Sequence, residues 1–123
     1  MDVTLTATAR KCEPGVTVIE IAGRLALGRE SGQIEAAVLK ALGEDARRIV
    51  IDLSEVSYID STGIGIITYC FNRISQHKAQ AAVSGARGLI AEVFRITRID
   101  TLIPFYADLA AACASFTEAG ATA

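Results

Sequence analysis

The sequence contains no apolar run close to the roughly 18–20 residues that a membrane-spanning helix requires. Its first residues, Met1–Thr4, lack the basic start and the apolar stretch that characterise a signal peptide. These two absences argue against insertion in a bilayer and against secretion. We therefore expect a cytoplasmic protein with no direct membrane insertion.

An excess of charge of one sign is also missing. Twelve Lys and Arg residues stand against 14 Asp and Glu residues, which gives a formal net charge of −2. Proteins that hold nucleic acid by its phosphates carry a clustered basic excess. The charge balance therefore predicts no nucleic acid partner.

Metal ligands and catalytic bases are scarce. The single histidine, His77, is predicted at an exposed helix end, and no second histidine or cysteine lies at ligand spacing from it. The cysteines are an odd number and far apart, and we interpret Cys12, Cys70 and Cys113 as reduced, packed thiols. No Walker-type phosphate loop is present. The sequence therefore predicts no metal site, no cofactor and no catalytic activity of its own.

The apolar pattern that is present predicts one α/β domain. With 51% hydrophobic residues, a chain of 123 residues can bury a real core. Strand-like runs at Val3–Ala9, Val16–Ala22, Ile49–Leu53 and Ala79–Val83, with a short extended piece at Ile99–Pro104, alternate with helical spacing at Ile34–Gly43, Ile64–Ile74, Leu89–Thr97 and Phe105–Phe116. Two strands followed by strand–helix units predict a four- to five-stranded mixed sheet with about four helices packed on it.

The connections complete this prediction. The polar, glycine-containing segment Gly23–Gly32 is predicted to be a loop, and Gly43 to be the C-cap of the first helix. Residues 1–117 form the predicted domain, and residues 118–123 a flexible C-terminal tail. The first strand is predicted at an exposed edge of the sheet. Because such an edge can pair with the same edge of a second copy, a homodimer is an open alternative.

The most informative segment joins the Ile49–Leu53 strand to the helix that follows. A short polar loop delivers Asp60, Ser61 and Thr62 at the start of that helix. Helix N-termini expose unpaired N–H groups and carry partial positive charge, so they accommodate a phosphate well. We interpret Ser61 as a phosphorylation switch on a protein-binding surface, with Thr62 as the second choice. The alternative is that Ser61 only caps the helix.

Two glycines, Gly63 and Gly65, follow in the same helix. Because glycine costs about 0.5–1 kcal/mol in a helix relative to alanine, the pair indicates a close approach of some kind. Either a partner's backbone approaches Ser61, or the helix packs tightly on the sheet. Catalysis by Ser61 is not expected, because the Gly-x-Ser-x-Gly turn is absent and His77 lies about four helical turns away.

The stretch Tyr58–Gly65 resembles the signature of the STAS family, the anti-sigma factor antagonists, whose usual form is Asp-Ser-Ser/Thr-Gly-Leu-Gly after a central strand. Gly23–Leu25 resembles the family's glycine-led loop after the second strand, and Ile96–Leu102 its late helix-to-strand segment. The order of elements is similar over almost the whole chain. The resemblance therefore implies a single STAS-like domain.

The same resemblance implies a mechanism. In such antagonists the hydroxyl directly after the motif Asp, here Ser61, is phosphorylated by a serine kinase that is itself the anti-sigma factor. The unphosphorylated antagonist binds this kinase and releases a sigma factor, and a serine/threonine phosphatase of the metal-dependent class resets the switch. Asp60, Ser61, Thr62, Gly63 and Ile64 are then expected to form the partner-binding surface.

The chain departs from the family pattern at two places. Many antagonists carry an acidic residue in the loop after the second strand, where this chain has Ala26, and Glu30 is wrongly spaced to replace it. Gln76–Lys78 stands where relatives often have a Gly-Gly turn. These departures indicate a partner with different contacts and leave the sigma pathway unidentified. A second role stays open beside the antagonist, as a scaffold subunit of a stress-signalling complex or an accessory subunit of a lipid ABC transporter. A hydrolase using Ser61 is the third.

Overall fold

A computed structural model describes residues 5–11, 15–25 and 32–122, with residue 100 and residues 117–122 described by their backbone alone. The strands are β1 (Thr6–Lys11), β2 (Val16–Leu25), β3 (Arg48–Ile59), β4 (Gln80–Ser84) and β5 (Phe105–Tyr106). The helices are α1 (Gly32–Gly43), α2 (Ser61–Gln76), α3 (Gly88–Ile96) and α4 (Leu109–Thr122), with a short 3-10 helix at Ile99–Thr101.

In this described part of the chain, the five strands form one mixed sheet in the order β1-β2-β3-β4-β5. β1 pairs antiparallel with β2, and the other neighbouring pairs are parallel. The predicted fold class is confirmed. Because the parallel strands β3 and β4 end at the same edge of the sheet, α2 and α3 both begin there. The segment around Ser61 lies at this carboxyl edge.

Helices cover both faces of the sheet. The larger core cluster lies under α1, α2 and α3, with members that include Ile19, Val38, Ile51, Ile67 and Phe94. The smaller cluster lies under α4, with members that include Val18, Val50, Ala82, Cys113 and Phe116. Successive residues of β3 thus enter opposite clusters, which is why its apolar run is nearly continuous.

β3 is longer than its apolar run indicates. The strand continues to Ile59 through the segment predicted to be a polar loop, because β2 also continues through Gly23–Leu25 and pairs with it. Hydrogen bonds of the ladder use the backbone, so the polar side chains of Ser54 and Glu55 do not end the strand. The prediction of a loop at Gly23–Leu25 was wrong, and residues 26–31 lie outside the described residues.

Three smaller boundaries also differ from prediction. α1 includes Gly43, and Asp45 (φ +66°) takes the left-handed conformation that was expected of a C-cap at Gly43. The 3-10 helix at Ile99–Thr101 replaces part of the predicted extended piece. Phe105 belongs to β5 and packs its ring against Phe94, with centroids 4.9 Å apart, so tertiary contact and not helical spacing places it.

The two ends of the chain complete the description. β1 continues to Lys11, two residues beyond its predicted end at Ala9, and Val3, Thr4 and Cys12 lie outside the described residues. α4 starts after Asp108, whose carboxylate accepts the N–H of Ala111 at 2.9 Å. Its backbone runs to Thr122, and the flexibility of residues 118–123 stays a prediction.

Candidate functional site

Asp60 joins β3 to α2 and is held from two sides. Its backbone is extended (φ −127°, ψ −172°), and its N–H donates to the carbonyl of Leu25 at 3.3 Å. Its carboxylate accepts the N–H of Gly63 at 2.9 Å, which makes Asp60 the N-cap of α2. The start of α2 is therefore anchored both to the end of β2 and to its own first turn.

Ser61 is the first helical residue and is exposed. Because Asp60 provides the cap, the alternative that Ser61 caps the helix was wrong. Among the described residues, the Ser61 hydroxyl makes no hydrogen bond, and the N–H groups of Ser61 and Thr62 have no backbone acceptor. A free hydroxyl and free N–H donors thus stand together at the positive end of the helix.

The other predicted site residues differ in exposure. Thr62 and Ile64 are half-buried, and Ile64 packs against the larger core cluster. The Ile64 carbonyl accepts the Thr68 hydroxyl at 2.9 Å, one turn along α2. All five predicted residues, Asp60 to Ile64, therefore lie within the first turn of one helix, but Ser61 alone is exposed.

The two glycines have different surroundings. A Cβ added at Gly63 would lie 2.1 Å from the carbonyl oxygen of Leu25 and 2.9 Å from Cγ1 of Ile59, whereas a Cβ at Gly65 would meet nothing within 4 Å. Gly63 is buried and Gly65 is exposed. Gly63 is thus required by packing inside the domain, as one of the two interpretations held, and only Gly65 leaves open surface.

Two tyrosines near the site are about two-fifths exposed, and the ring of each lies close to an arginine side chain. The guanidinium of Arg24 lies 4.0 Å from the ring centroid of Tyr58, and that of Arg73 lies 5.9 Å from the ring centroid of Tyr69. Sequence reasoning missed both pairs. A large aromatic residue on the polar face of α2 was the available signal for Tyr69, whereas the Arg24–Tyr58 pair depends on the register of β2 and β3.

A groove of about 380 Å³ opens between α1 and α2 directly beside this site. Its lining residues are Gly32, Glu35, Thr62, Gly65, Ile66 and Tyr69. Thr62 belongs both to the groove and to the predicted site, and Gly65 lines the groove with backbone alone. The groove therefore continues the surface that begins at Ser61.

Cys70 lies in the core behind this groove. Burial, and to a lesser degree the Glu35 carboxylate, raises the pKa of the Cys70 thiol from 9.0 to about 12. The thiol is therefore neutral and inert. Both Cys70 and Cys113 are buried thiols, as predicted, and Cys12 lies outside the described residues.

Apart from the site at Ser61, a polar cluster formed by Asp52, Ser54 and Ser84 lies at the carboxyl edge of the sheet. The two carboxylate oxygens of Asp52 accept the hydroxyls of Ser54 and Ser84, each at 2.7 Å. Gly85 (φ +79°) closes over them, and a Cβ there would lie 2.8 Å from the Ser54 Cβ. The Asp52 carboxylate thus ties β3 to β4 through Ser84, and each of its oxygens is engaged by a hydroxyl.

The described residues contain no arrangement that would support catalysis by Ser61. His77 lies at the other end of α2, roughly 24 Å away at 1.5 Å per residue, and its Nδ1 is 3.0 Å from the Arg73 carbonyl. No group of three or more His, Cys, Asp or Glu side chains among these residues could hold a metal ion. None of the described helices is long and apolar enough to cross a membrane.

The two departures from the family pattern have separate outcomes. Ala26 and Glu30 lie outside the described residues. Gln76 ends α2, and His77 and Lys78 form the turn before β4, in which Lys78 takes a left-handed conformation (φ +60°).

Comparisons with known proteins agree on one family. The model of the STAS domain matches residues 7–112. An anti-sigma-B factor antagonist of Listeria monocytogenes is 36% identical over 53 residues, which are 43% of this chain and 46% of that protein. The chain thus spans about half the length of this relative.

Solved structures show the same fold. An anti-sigma factor antagonist from Mycobacterium paratuberculosis has a TM-score of 0.78 at 23% identity, covering 91% of this chain and 93% of that one. The Bacillus cell fate determinant SpoIIAA in its phosphorylated form has a TM-score of 0.64 at 18% identity, covering 85% and 91%.

Proposed function

The chain belongs to the STAS domain family, and we propose that it acts as an anti-sigma factor antagonist switched by phosphorylation at Ser61. The unphosphorylated protein binds a serine-kinase anti-sigma factor in the cytoplasm and thereby releases a sigma factor. Phosphorylation ends this binding, and a metal-dependent serine/threonine phosphatase restores it. The chain itself binds and does not catalyse.

The exposed, unbonded hydroxyl of Ser61 carries this proposal. Because Asp60 holds the Gly63 N–H, the cap survives when Ser61 is modified. A kinase can therefore reach the hydroxyl without unfolding the first turn. The N–H groups of Ser61 and Thr62 would stabilise the added phosphate, so the domain stays folded in both states.

The same geometry explains why a phosphate would change binding. It would add up to about two negative charges beside the Asp60 carboxylate, in the middle of the surface that the partner covers. Like charges across an interface cost several kcal/mol, and about 1.4 kcal/mol corresponds to a tenfold loss of affinity. One modification is thus sufficient to release the partner.

Exposure favours Ser61 over Thr62 as the acceptor. Thr62 is half-buried in the groove wall, whereas Ser61 faces solvent. Relatives support the mechanism at the level of the family, since one is named an anti-sigma-B factor antagonist and a structural neighbour is described in a phosphorylated form.

A paired capture experiment tests the proposal. Ser61→Ala and Ser61→Glu proteins are used as baits in the native cell extract, and bound proteins are identified by mass spectrometry. Ser75→Glu provides a matched control, because Ser75 is exposed at the opposite end of the same helix. We expect a kinase-type ATPase on the Ser61→Ala and Ser75→Glu baits and at least tenfold less on Ser61→Glu.

Recovery of the same partners by both Ser61 baits would contradict the switch. If those partners formed a large multisubunit particle or included an ABC-type ATPase, the scaffold or transporter role would replace it. Thr62→Ala, tested for phosphate incorporation beside Ser61→Ala, identifies the acceptor: we expect labelling to be lost only in Ser61→Ala.

A further inference from the structure

We propose that the groove between α1 and α2 receives a cationic side chain, lysine or arginine, of the kinase anti-sigma factor, with Glu35 as its counter-ion. This inference rests on the proposed function, because it names the occupant of a surface next to Ser61. It adds a second recognition element that phosphorylation does not touch.

Position is the first argument. Thr62, which directly follows Ser61, forms part of the groove wall. A kinase that brings its active site to the Ser61 hydroxyl must cover the adjoining first two turns of α2. The groove opens on that surface, so a side chain of the kinase can enter it while Ser61 is engaged.

Charge is the second argument. Glu35 is half-buried in the groove, and among the described residues its carboxylate has no ion pair and no hydrogen bond. It lies close enough to the buried Cys70 thiol to help raise the pKa of that thiol. When a partner covers the groove, the Glu35 carboxylate loses its remaining water, and a cation from the partner would then compensate its charge.

The aromatic wall is the third argument. Tyr69 lines the groove and is 43% exposed, so its ring can contact a ligand. The guanidinium of Arg73, which does not line the groove, already lies within 5.9 Å of the ring centroid. An aromatic ring and a carboxylate that line the same groove favour ammonium or guanidinium groups over neutral ones.

Gly65 leaves space in the groove because it has no side chain, and a larger residue at this position would fill that space. A Cβ there would meet nothing within 4 Å, so the groove has bare backbone where other residues would fill it. Gly65→Leu is expected to occupy the groove without disturbing the core, because the helix gains propensity and the new Cβ enters open space. Glu35→Gln removes the charge at nearly constant shape.

The test measures affinity for the kinase captured by the Ser61→Ala bait, by isothermal titration calorimetry at low and high salt. Glu35→Gln and Gly65→Leu are each expected to weaken binding about tenfold or more. Glu35→Gln should also reduce the salt dependence of binding. Gly65→Leu keeps the charge, so the long-range electrostatic attraction and the salt dependence should stay unchanged. Glu44→Gln, an exposed acid beyond the other end of α1, is the control and should bind as the parent does.

The outcomes separate this inference from the switch. If Ser61→Glu abolishes binding while Glu35→Gln and Gly65→Leu bind with the parent affinity, the groove proposal is wrong and the switch stands. If no kinase binds the Ser61→Ala protein, both are wrong. A charge swap gives the positive test: Glu35→Arg should be rescued at least threefold by replacing one basic residue of the kinase with Glu. Equal binding of Glu35→Gln and Glu44→Gln would likewise overturn the inference.

Discussion

The contrast between Gly63 and Gly65 gives a quantitative test of how α2 packs against the end of β2. Both are helical glycines two residues apart, so intrinsic helix propensity alone predicts that alanine stabilises either position by up to about 1 kcal/mol. The structure predicts opposite signs. At Gly63 the new Cβ would lie 2.1 Å from the Leu25 carbonyl oxygen, whereas ordinary contact begins at 3.4 Å.

The magnitude at Gly63 follows from what must move. A backbone shift of about 1.3 Å is needed to restore ordinary contact, and overpacking of this kind costs about 1–3 kcal/mol. The shift also disturbs the 2.9 Å bond from the Gly63 N–H to the Asp60 carboxylate, a cap worth about 1 kcal/mol. After the gain in propensity, we expect Gly63→Ala to lose about 1–3 kcal/mol of unfolding free energy, and Gly65→Ala to gain about 0.5–1 kcal/mol.

Urea unfolding followed by far-UV circular dichroism measures this difference. With a slope of about 1.5 kcal/mol per M, a separation of about 3 kcal/mol places the two midpoints about 2 M apart, on either side of the parent. Equal midpoints for the two variants, or a Gly63→Ala protein as stable as the parent, would refute the packing of α2 against the end of β2.

Four further predictions concern the same edge of the sheet and the core behind it. Asp60→Ala should lose about 1 kcal/mol of unfolding free energy because the cap is removed, while Ser61→Ala stays within about 0.5 kcal/mol; equal losses in urea unfolding would contradict the assignment of the cap. Ser84→Ala should lose about 1–3 kcal/mol in the same assay, since it leaves a buried oxygen of Asp52 without its donor, and a neutral result would exclude that role. Cys70 should resist iodoacetamide at pH 8 until the protein is unfolded, and modification at the rate of a free thiol would contradict its burial. Because the folded protein keeps the Cys70 proton up to about pH 12 while the unfolded chain releases it near pH 9.0, unfolding free energy should fall between these values as pH rises, and less so in Cys70→Ala; equal slopes would contradict this linkage.

Local pattern determined much of the architecture. The helical spacing of Ile34, Val38, Ala41 and Leu42 predicted the buried face of α1, and all four are buried. The run Ile49–Leu53 predicted a strand covered on both faces, as found. The start of α2 at Asp60 followed from residues adjacent in sequence. Such features depend on neighbours within one or two turns, so periodicity and capping preferences report them directly.

Features that join distant segments were decided by tertiary structure. Gly63 is glycine because the Leu25 carbonyl, 38 positions earlier in the printed sequence, lies against it. β3 extends beyond its apolar run because β2 continues beside it. Only the register of that pair brings the Arg24 guanidinium over the Tyr58 ring. Identical local patterns are compatible with several registers, so no periodicity could supply these contacts.

The candidate site divides in the same way. The sequence by itself determined the family signature and the place of the Ser61 hydroxyl at a helix N-terminus, because these are properties of one short segment. Tertiary structure alone decided that Gly63 faces inward and Gly65 outward, and that Glu35 borders a groove beside Ser61. Those facts depend on how α1, α2 and β2 pack together, and packing is a property of the whole core that one segment does not encode.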